Sequence, residues 1–309
     1  AKAAIVVGAE ASPSTRYAAE ELQRFLNEIT GASFEIISDE ETPRAGEIIV
    51  GNNKHLEKLH PGIDFAPLGL EGYVLRNTGK NLIIAGGEPR GTLYGVYGLL
   101  EDHLGCRWFT PQVSRIPKNP QLTIGPLDEF RKPILEYREP FVLDCFEGDW
   151  SARNRMNSSA AHLEEKHGGK VDYFGFVHTF AGLLPVEQYF DTHPEYYSLI
   201  DGQRRKERTQ LCCTNEDVIR LVTEEVRRRM REHPEAEVFS VSQNDWLNYC
   251  ECDKCTALAE AEGSQMGPML HLVNAVARAV RDEFPDKAID TLAYQYTRKP
   301  PRTLRPEPN

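Results

Sequence analysis

The sequence has no long apolar run and no excess of positive charge. A membrane-spanning helix needs about 18 or more apolar residues in succession, and no segment of the 309 residues reaches that length. Lysine and arginine number 36 against 47 aspartates and glutamates, so the formal net charge is -11. Nucleic acids and anionic membranes bind basic surfaces. Neither is therefore predicted as a partner, whereas a neutral sugar is compatible with this charge.

The chain also lacks the features of a small disulfide-bonded scaffold. Its hydrophobic share of 40% and charged share of 27% are typical of a soluble globular protein, and its length suits two domains. It starts on the strand-like segment AKAAIVVG, so we expect a signal peptide to be absent or already removed. The seven cysteines are odd in number and clustered, which does not match a paired framework.

Residues 1–125 have the pattern of a small α/β sandwich domain. Ser12 followed by proline predicts a helix start, and Gly31 predicts its end. Segments 72–76 and 81–85 flank a turn sequence and predict a hairpin, which a second helix follows at 91–103. These elements predict one sheet with helices on one face.

A proline-rich stretch follows and predicts a domain boundary. Residues 111–133 contain five prolines and no sustained hydrophobic period. Such composition is typical of a linker. The sequence therefore predicts one domain over 1–125 and a second over 126–309.

The second domain alternates strand and helix patterns. Strands are predicted at 134–138, 173–180, 209–213, 237–242 and 288–296, and helices from Asn215 to about Glu232 and at 267–284. This alternation is typical of a parallel sheet or a (β/α)8 TIM-type barrel. A full barrel needs about 250 residues, and about 180 follow the linker. We therefore expect a barrel truncated after about five strands.

Two short motifs in the first domain carry a resemblance. Residues 91–97 have the pattern Gly-Thr-x-Tyr-Gly-x-Tyr, and residues 105–109 have Gly-x-Arg-Trp-Phe. Together with the hairpin before them, they resemble the N-terminal domain that precedes the barrel in family 67 α-glucuronidases. A more distant resemblance is to the corresponding domain of family 20 β-hexosaminidases.

The second domain resembles a bacterial family, domain of unknown function 4838, part of which is grouped as glycoside hydrolase family 163. The resemblance lies in the motifs YREP (137–140), ARNRMN (152–157), HPEYY (193–197), CTN (213–215), SQND (242–245), Cys-x-Cys-x-x-Cys (250–255), EGS (262–264) and TLAY (291–294). It implies a retaining β-N-acetylglucosaminidase-type hydrolase on a barrel, exported to the periplasm, cell surface or medium. Family members continue with further strands that carry acidic residues, so we expect part of the catalytic set to lie beyond residue 309.

Asp245 is the predicted catalytic residue. With Asn244 and Trp246 it follows the apolar strand 237–242, and side chains at the carboxyl end of a barrel strand face the active site. Asp245 would orient a substrate group or act as acid or base, Asn244 would bind a hydroxyl or acetamido group, and Trp246 would stack on a sugar. The alternatives are a turn-capping role for the two polar residues and a lid role for Trp246.

Five other residues are predicted to bind substrate from the ends of neighbouring strands. Arg138 and Glu139 end the first predicted strand, and an ion pair is the alternative for them. His178 ends the second, with a hydrogen-bonded core histidine as the alternative. Tyr294 and Tyr296 lie on the last strand, where they would stack on a sugar or simply pack in the core.

The cysteines of the Cys-x-Cys-x-x-Cys motif predict a structural zinc site. Cys250, Cys252 and Cys255 supply three thiolates, and Cys212, Cys213 or a histidine would supply the fourth ligand of a tetrahedral Zn²⁺. The alternatives are reduced, packed thiols or one disulfide. No cofactor is predicted for catalysis itself.

Three functions are compatible with these patterns. The first is a glycoside hydrolase that acts on a glycan, of the β-N-acetylglucosaminidase type with a substrate-assisted, retaining mechanism. The second is a non-catalytic carbohydrate-binding or structural module, such as a fragment of a larger enzyme. The third is an α-glucuronidase.

Overall fold

The chain forms two compact units of mixed α/β structure. The computed structural model describes residues 3–309. The units divide between Lys170 and Val171. The boundary predicted at residue 125 therefore lies inside the first unit, and the segment 126–170 belongs to that unit instead of to the second.

The first unit contains eight strands and four helices within its described residues. The strands are β1 Ala4–Val7, β2 Glu35–Ser38, β3 Ile48–Val50, β4 Tyr73–Asn77, β5 Leu82–Gly86, β6 Arg107–Trp108, β7 Ser114–Arg115 and β8 Leu127–Arg131. The helices are α1 Pro13–Thr30, α2 Lys54–Leu59, α3 Gly91–Gly98 and α4 Gly148–Arg153. A π-helical segment, Leu99–His103, continues α3 to the predicted end of the second helix.

Six of these strands form one sheet in the order β2-β1-β3-β5-β4-β8. Strands β2, β1, β3 and β5 are parallel, and β4 pairs antiparallel with both β5 and β8. The predicted hairpin is therefore present as β4 and β5. Strand β8 lies in the predicted linker and adds an edge strand to the sheet, which explains why the first unit continues past residue 125.

Helices cover both faces of this sheet. Helices α1 and α3 pack on one face through residues such as Leu22, Phe25 and Val96, and Leu56 of α2 packs on the other against Ile83. The prediction of helices on one face only was therefore wrong, because α2 covers the other face. Helix α1 begins and ends as predicted, because the Ser12 side chain accepts a hydrogen bond from a first-turn N–H and Gly31 adopts a φ of 71°.

The second unit contains five strands and five helices. The strands are β9 Tyr173–Phe174, β10 Leu199–Ile200, β11 Gln203–Arg204, β12 Val238–Ser240 and β13 Ala288–Asp290. The helices are α5 Phe180–Leu183, α6 Val186–Tyr189, α7 Glu216–Glu232, α8 Asp253–Glu262 and α9 Met266–Val280. Helix α7 begins after Asn215, whose side chain caps it as predicted.

Three strands of this unit form a parallel sheet in the order β13-β12-β9. They correspond to three of the five strands predicted after the linker. Segment 134–138 forms no strand and lies in the first unit. Segment 209–213 forms only one antiparallel bridge, between Leu211 and Tyr197. The parallel sheet is thus observed, whereas a barrel of five strands is not.

The core of the second unit lies on one face of this sheet. Phe239 and Val241 are buried in a cluster with residues of α7 and α9, among them Val226 and Val276. Because side chains alternate along a strand, Ser240 lies on the opposite face. In residues 3–309, no helix combines the length and the apolar character that crossing a membrane requires.

Candidate active site at the carboxyl ends of three strands

The carboxyl ends of β9, β12 and β13 meet at one edge of the second sheet, because the three strands are parallel. His178 follows β9, Asp245 follows β12, and Tyr294 and Gln295 follow β13. Ligand sites of parallel α/β proteins lie at this edge. Three of the predicted site residues are brought together here, and Gln295 joins them.

Asp245 is the exposed carboxylate of this group. Its Oδ1 atom accepts hydrogen bonds from the Tyr294 hydroxyl at 3.0 Å and from Nε2 of Gln295 at 3.2 Å. Gln295 has a φ of 52°, a left-handed conformation that non-glycine residues adopt rarely and often at functional sites. The carboxylate is therefore held in one orientation by two neutral donors.

His178 lies beside Tyr294, with 5.7 Å between the ring centroids. Its ring Nδ1 lies 2.8 Å from the carbonyl oxygen of Gln243. A carbonyl only accepts, so Nδ1 carries a proton and donates it to this oxygen. The backbone N–H of His178 donates to the Ser242 hydroxyl at 2.9 Å, and His178 also has a left-handed φ of 63°.

Asn244 is placed differently from the prediction. It is 8% exposed, and both atoms of its amide group bond to backbone: Oδ1 accepts from the N–H of Ala181 at 3.0 Å, and Nδ2 donates to the carbonyl of Thr209 at 2.9 Å. This residue therefore ties the segment after β12 to two neighbouring segments. Its contact with substrate stays a prediction.

Gln210 is a positioning residue that the sequence patterns did not indicate. Its side chain is buried; Nε2 donates to the carbonyls of Asn244 at 2.8 Å and Trp246 at 2.6 Å, and Oε1 accepts from the N–H of Asn244 at 2.8 Å. The Gln210 side-chain amide thus fixes the backbone on both sides of Asp245. The sequence signal for this role was the glutamine in the predicted strand 209–213. A polar side chain that is buried in a strand needs hydrogen-bond partners, which here are backbone groups of the neighbouring segment.

The two remaining aromatic residues of the prediction differ in exposure. Trp246 is 42% exposed, and the guanidinium of Arg208 lies 5.2 Å from its ring centroid. Tyr296 packs against Tyr249 with 5.2 Å between ring centroids, and burial raises the pKa of Tyr296 well above its ordinary value. Trp246 is therefore accessible to a ligand, while Tyr296 has the surroundings of a packing residue.

Asp290 is a second carboxyl group at this edge of the sheet, and the sequence patterns missed it. It ends β13 and lies opposite Ser240 in the parallel register. Burial raises the pKa of Asp290, and hydrogen bonding with Tyr173 and Ser240 opposes this shift. The predicted strand 288–296 placed Asp290 in the strand interior, whereas the strand ends at this residue.

We expect Asp290→Asn to stabilise the protein at neutral pH. A carboxyl group with a raised folded-state pKa destabilises the folded state once the pH exceeds that pKa, and the penalty disappears as the pH falls below the unfolded-state pKa. The variant should therefore have a higher free energy of unfolding than wild type at pH 7, with the difference shrinking toward pH 3. Urea unfolding across this pH range would measure it, and a difference independent of pH would contradict the assignment.

Arg138 and Glu139 lie in the first unit, where Arg138 is part of a buried ionic network. Its Nη2 atom lies 2.7 Å from a carboxylate oxygen of Glu71, and its Nε donates to the carbonyl of Arg155 at 2.7 Å. Glu139 accepts a hydrogen bond from the Tyr137 hydroxyl. These contacts match the alternative role of Arg138, a structural ion pair. Substrate binding by Arg138 and Glu139 stays a prediction.

Four cysteines of the second unit form a cluster. The Sγ atoms of Cys212, Cys250, Cys252 and Cys255 all lie within 4.8 Å of one another, and Cys212 lies 3.6 Å from Cys252 and 3.9 Å from Cys255. Hydrogen bonding with Cys250 lowers the pKa of Cys212 and raises that of Cys250 to about 11. These four side chains could bind a metal ion.

The neighbouring Cys213 is not part of this cluster. Its Sγ contacts the carbonyl of Leu211 at 3.6 Å, and the side chain packs in the apolar core of the second unit. Of the candidates that the sequence left open for a fourth ligand, Cys212 is therefore the one beside the other three thiols.

Comparison with known families gives the class of the chain. Residues 1–99 match the model described as the glycosyl hydrolase family 67 N-terminus. This part of the chain is thus similar to the N-terminal domain of a glycoside hydrolase family. Residues 108–309 match the model described as a domain of unknown function, DUF4838. The chain belongs to the DUF4838 family.

Two solved structures are similar over most of this chain. One is a family GH115 4-O-methyl-α-glucuronidase with specificity for decorated arabinogalactans: identity is 15%, the TM-score is 0.47, and the match covers 95% of this chain and 42% of that one. The other is a GH138 enzyme that targets pectin rhamnogalacturonan II, with 12% identity, a TM-score of 0.31 and coverage of 95% and 30%. This chain thus spans less than half the length of either. No curated protein matches the sequence significantly.

Proposed function

We propose that the chain hydrolyses a glycan at a β-linked N-acetylhexosamine, with assistance from the acetamido group of the substrate. The observation that carries the proposal is the exposed Asp245 carboxylate, which is oriented by Tyr294 and Gln295 at the carboxyl edge of a parallel sheet. A glycosidase needs two carboxyl groups, or one carboxyl group and an acetamido oxygen that acts as nucleophile. In the second case the acetamido oxygen replaces the carboxylate nucleophile, and Asp245 suits the carboxylate that orients this acetamido group beside a separate acid.

In this mechanism, Asp245 accepts a hydrogen bond from the acetamido N–H and orients the acetamido oxygen toward the anomeric carbon. The bond from that oxygen to the anomeric carbon forms while the glycosidic bond breaks, and an acid gives its proton to the leaving oxygen. Water then attacks the anomeric carbon as the bond from the acetamido oxygen to that carbon breaks, gives one proton to the acid, and leaves the product with retained configuration. No metal or organic cofactor takes part.

We propose Asp290 as the proton donor. A general acid must hold its proton near the working pH, and burial raises the pKa of Asp290 in that direction.

We further propose that β9, β12 and β13 are strands of a (β/α) barrel and that the protein is exported, since glycans of this kind lie outside the cytoplasm. The resemblance to family 163 hydrolases supports both proposals.

An α-glucuronidase is the second candidate, because residues 1–99 match the family 67 N-terminus. A glucuronoside carries a carboxylate, which arginine binds well through paired N–H donors. Arg208 beside the exposed Trp246 is the group that would serve this purpose. The thiol cluster has no part in either reaction.

A substrate panel separates the two candidates. The protein is assayed on an aryl β-N-acetylglucosaminide, an N-glycan and an aryl α-glucuronide, with and without a thiazoline analogue of the cyclic acetamido intermediate. We expect turnover of the acetamido substrates and inhibition by the thiazoline. Turnover of the glucuronide alone would favour the second candidate, and binding of glycan without turnover of any substrate would favour a carbohydrate-binding module.

We expect Tyr294→Phe to lower kcat/KM about 10- to 100-fold on the substrate that is turned over. The variant loses the hydroxyl that orients Asp245, and a hydrogen bond to a charged group contributes about 1.5–3 kcal/mol. Tyr189→Phe, on helix α6, is the matched control and should retain the wild-type rate. Equal rates for wild type and Tyr294→Phe would show that this hydroxyl does not support catalysis.

A further inference from the structure

The four clustered thiols have the spacing of a tetrahedral zinc site. A Zn–S bond is about 2.3 Å long, so the sulfurs of a tetrahedral four-thiolate site lie about 3.8 Å apart. Cys212 lies 3.6 Å from Cys252 and 3.9 Å from Cys255. Four sulfur ligands complete the coordination of Zn²⁺ and leave no position for water, which is typical of a structural site.

The groups around the cluster suit its negative charge. Zn²⁺ with four thiolates carries a net charge of −2, which N–H and O–H donors stabilise. The N–H of Leu199 lies 3.5 Å from Sγ of Cys250, and a guanidinium nitrogen of Arg204 lies 3.7 Å from the same sulfur. The hydroxyl of Thr214 lies 3.2 Å from Sγ of Cys255. The sulfur atoms therefore have donors from three separate residues.

Helix α8 adds a further favourable interaction. Cys252 is its N-cap residue, and Cys255 lies in its first turn. The N-terminus of a helix carries partial positive charge, which favours a negatively charged cluster there.

The cluster lies at one end of the segment that carries Asp245. Gln210 holds the start of segment 244–252 through the carbonyls of Asn244 and Trp246. Farther along, the amide of Asn248 donates to the carbonyl of Arg208 at 2.9 Å. Cys250 and Cys252 end the segment beside Cys212. Hydrogen bonds of Gln210 and Asn248 thus connect segment 208–212 to segment 244–252, and the thiol cluster connects the two segments again at residues 212, 250 and 252.

We propose that Cys212, Cys250, Cys252 and Cys255 bind one structural Zn²⁺, which fixes the segment 244–252 against the segment 208–212. Cys212 is the fourth ligand, and Cys213 is not a ligand. The ion holds the site segment in place and takes no part in the chemistry.

Metal analysis of the protein and two alanine variants tests this proposal. Protein purified without chelator should contain about one zinc per chain. Cys213→Ala should retain it, whereas Cys212→Ala should lose most of it on dialysis against a weak chelator. Replacement of zinc by Co²⁺ should give the visible absorption of tetrahedral cobalt with thiolate ligands in wild type and Cys213→Ala.

The wild-type protein alone keeps the test decisive if Cys212→Ala does not fold. Removal of zinc should increase amide hydrogen exchange across residues 246–252, and zinc restoration should reverse the increase. The proposal is overturned if wild type binds no zinc after incubation with it, if Cys212→Ala retains zinc fully, or if exchange in this segment does not respond to zinc. None of these measurements depends on glycosidase activity.

Discussion

Asp245→Asn is expected to lower kcat/KM on an aryl β-N-acetylglucosaminide by about 10²- to 10⁴-fold, the usual contribution of a group that assists proton or charge movement in the transition state. Asparagine has nearly the same shape and retains an oxygen for Tyr294 and Gln295. It lacks the negative charge that, in the proposed mechanism, orients the acetamido N–H and stabilises the positive charge developing on the acetamido group. The loss should therefore appear in kcat more than in KM.

The fold should tolerate this change. Asp245 is exposed, and substitutions of exposed residues usually alter the free energy of unfolding by less than about 0.5 kcal/mol. Asp282→Asn is the matched control, because its side chain is 98% exposed and lies away from the sheet edge, after helix α9. A wild-type rate for Asp245→Asn would remove Asp245 from the chemistry, and loss of rate in both variants would point to a general effect of charge.

Glu71→Gln is expected to lower the free energy of unfolding by about 3–5 kcal/mol, because it leaves the buried guanidinium of Arg90 and the partly buried guanidinium of Arg138 without their counter-charge. Glu71 is 10% exposed in its side chain. One oxygen lies 2.8 Å from Nε of Arg90, and the other lies 2.7 Å from Nη2 of Arg138. Asn157 also donates to Glu71 at 2.8 Å. Glutamine can accept only part of these hydrogen bonds and carries no charge.

A surface ion pair of the same unit provides the control for Glu71→Gln. Asp128 pairs with Arg76 at 2.8 Å, but its side chain is 70% exposed. Asp128→Asn should therefore change stability by less than about 1 kcal/mol. Urea unfolding can be followed by fluorescence of Trp108 and Trp150, both in the first unit. A loss for Glu71→Gln no greater than that for Asp128→Asn would contradict the buried network.

Local sequence signals predicted the elements whose ends are set by local chemistry. Ser12 and Asn215 cap helices α1 and α7 through their own side chains, and Gly31 ends α1 in a left-handed conformation. The hairpin of β4 and β5 depends on a short turn between apolar segments. Interactions among residues a few positions apart decide each of these features, so the sequence alone contains them.

Pairing between distant segments could not be predicted in this way. The apolar pattern at 134–138 suggested a strand, yet Ile134 is 98% exposed and Leu135 is 65% exposed, because no strand pairs with them. Strand β8 pairs with β4, more than 40 residues earlier in the chain. A strand forms only when a partner is available, and a hydrophobic pattern does not name the partner.

For the candidate site, too, the sequence indicates which residues follow a strand but not which distant residues contact one another. The position of Asp245 after an apolar strand and that of Tyr294 on the last predicted strand make them predicted site residues, and this role stays a prediction. The hydrogen bond between them joins residues 49 positions apart, so the sequence could not show it. Gln295 and Asp290 were missed because β13 was predicted to extend to residue 296. The sequence also could not show whether Cys212 or Cys213 faces the other three thiols, because that depends on how the chain is folded around these residues.

The stereochemistry of the reaction tests the central claim most directly. Wild-type protein and Asp245→Asn are incubated with an aryl β-N-acetylglucosaminide, and proton NMR follows the anomer of the sugar first released. Assistance by the acetamido group with Asp245 predicts that wild type releases the β-anomer and that Asp245→Asn releases it at a greatly reduced rate. First release of the α-anomer, or release of the β-anomer at the same rate by both proteins, would contradict the account.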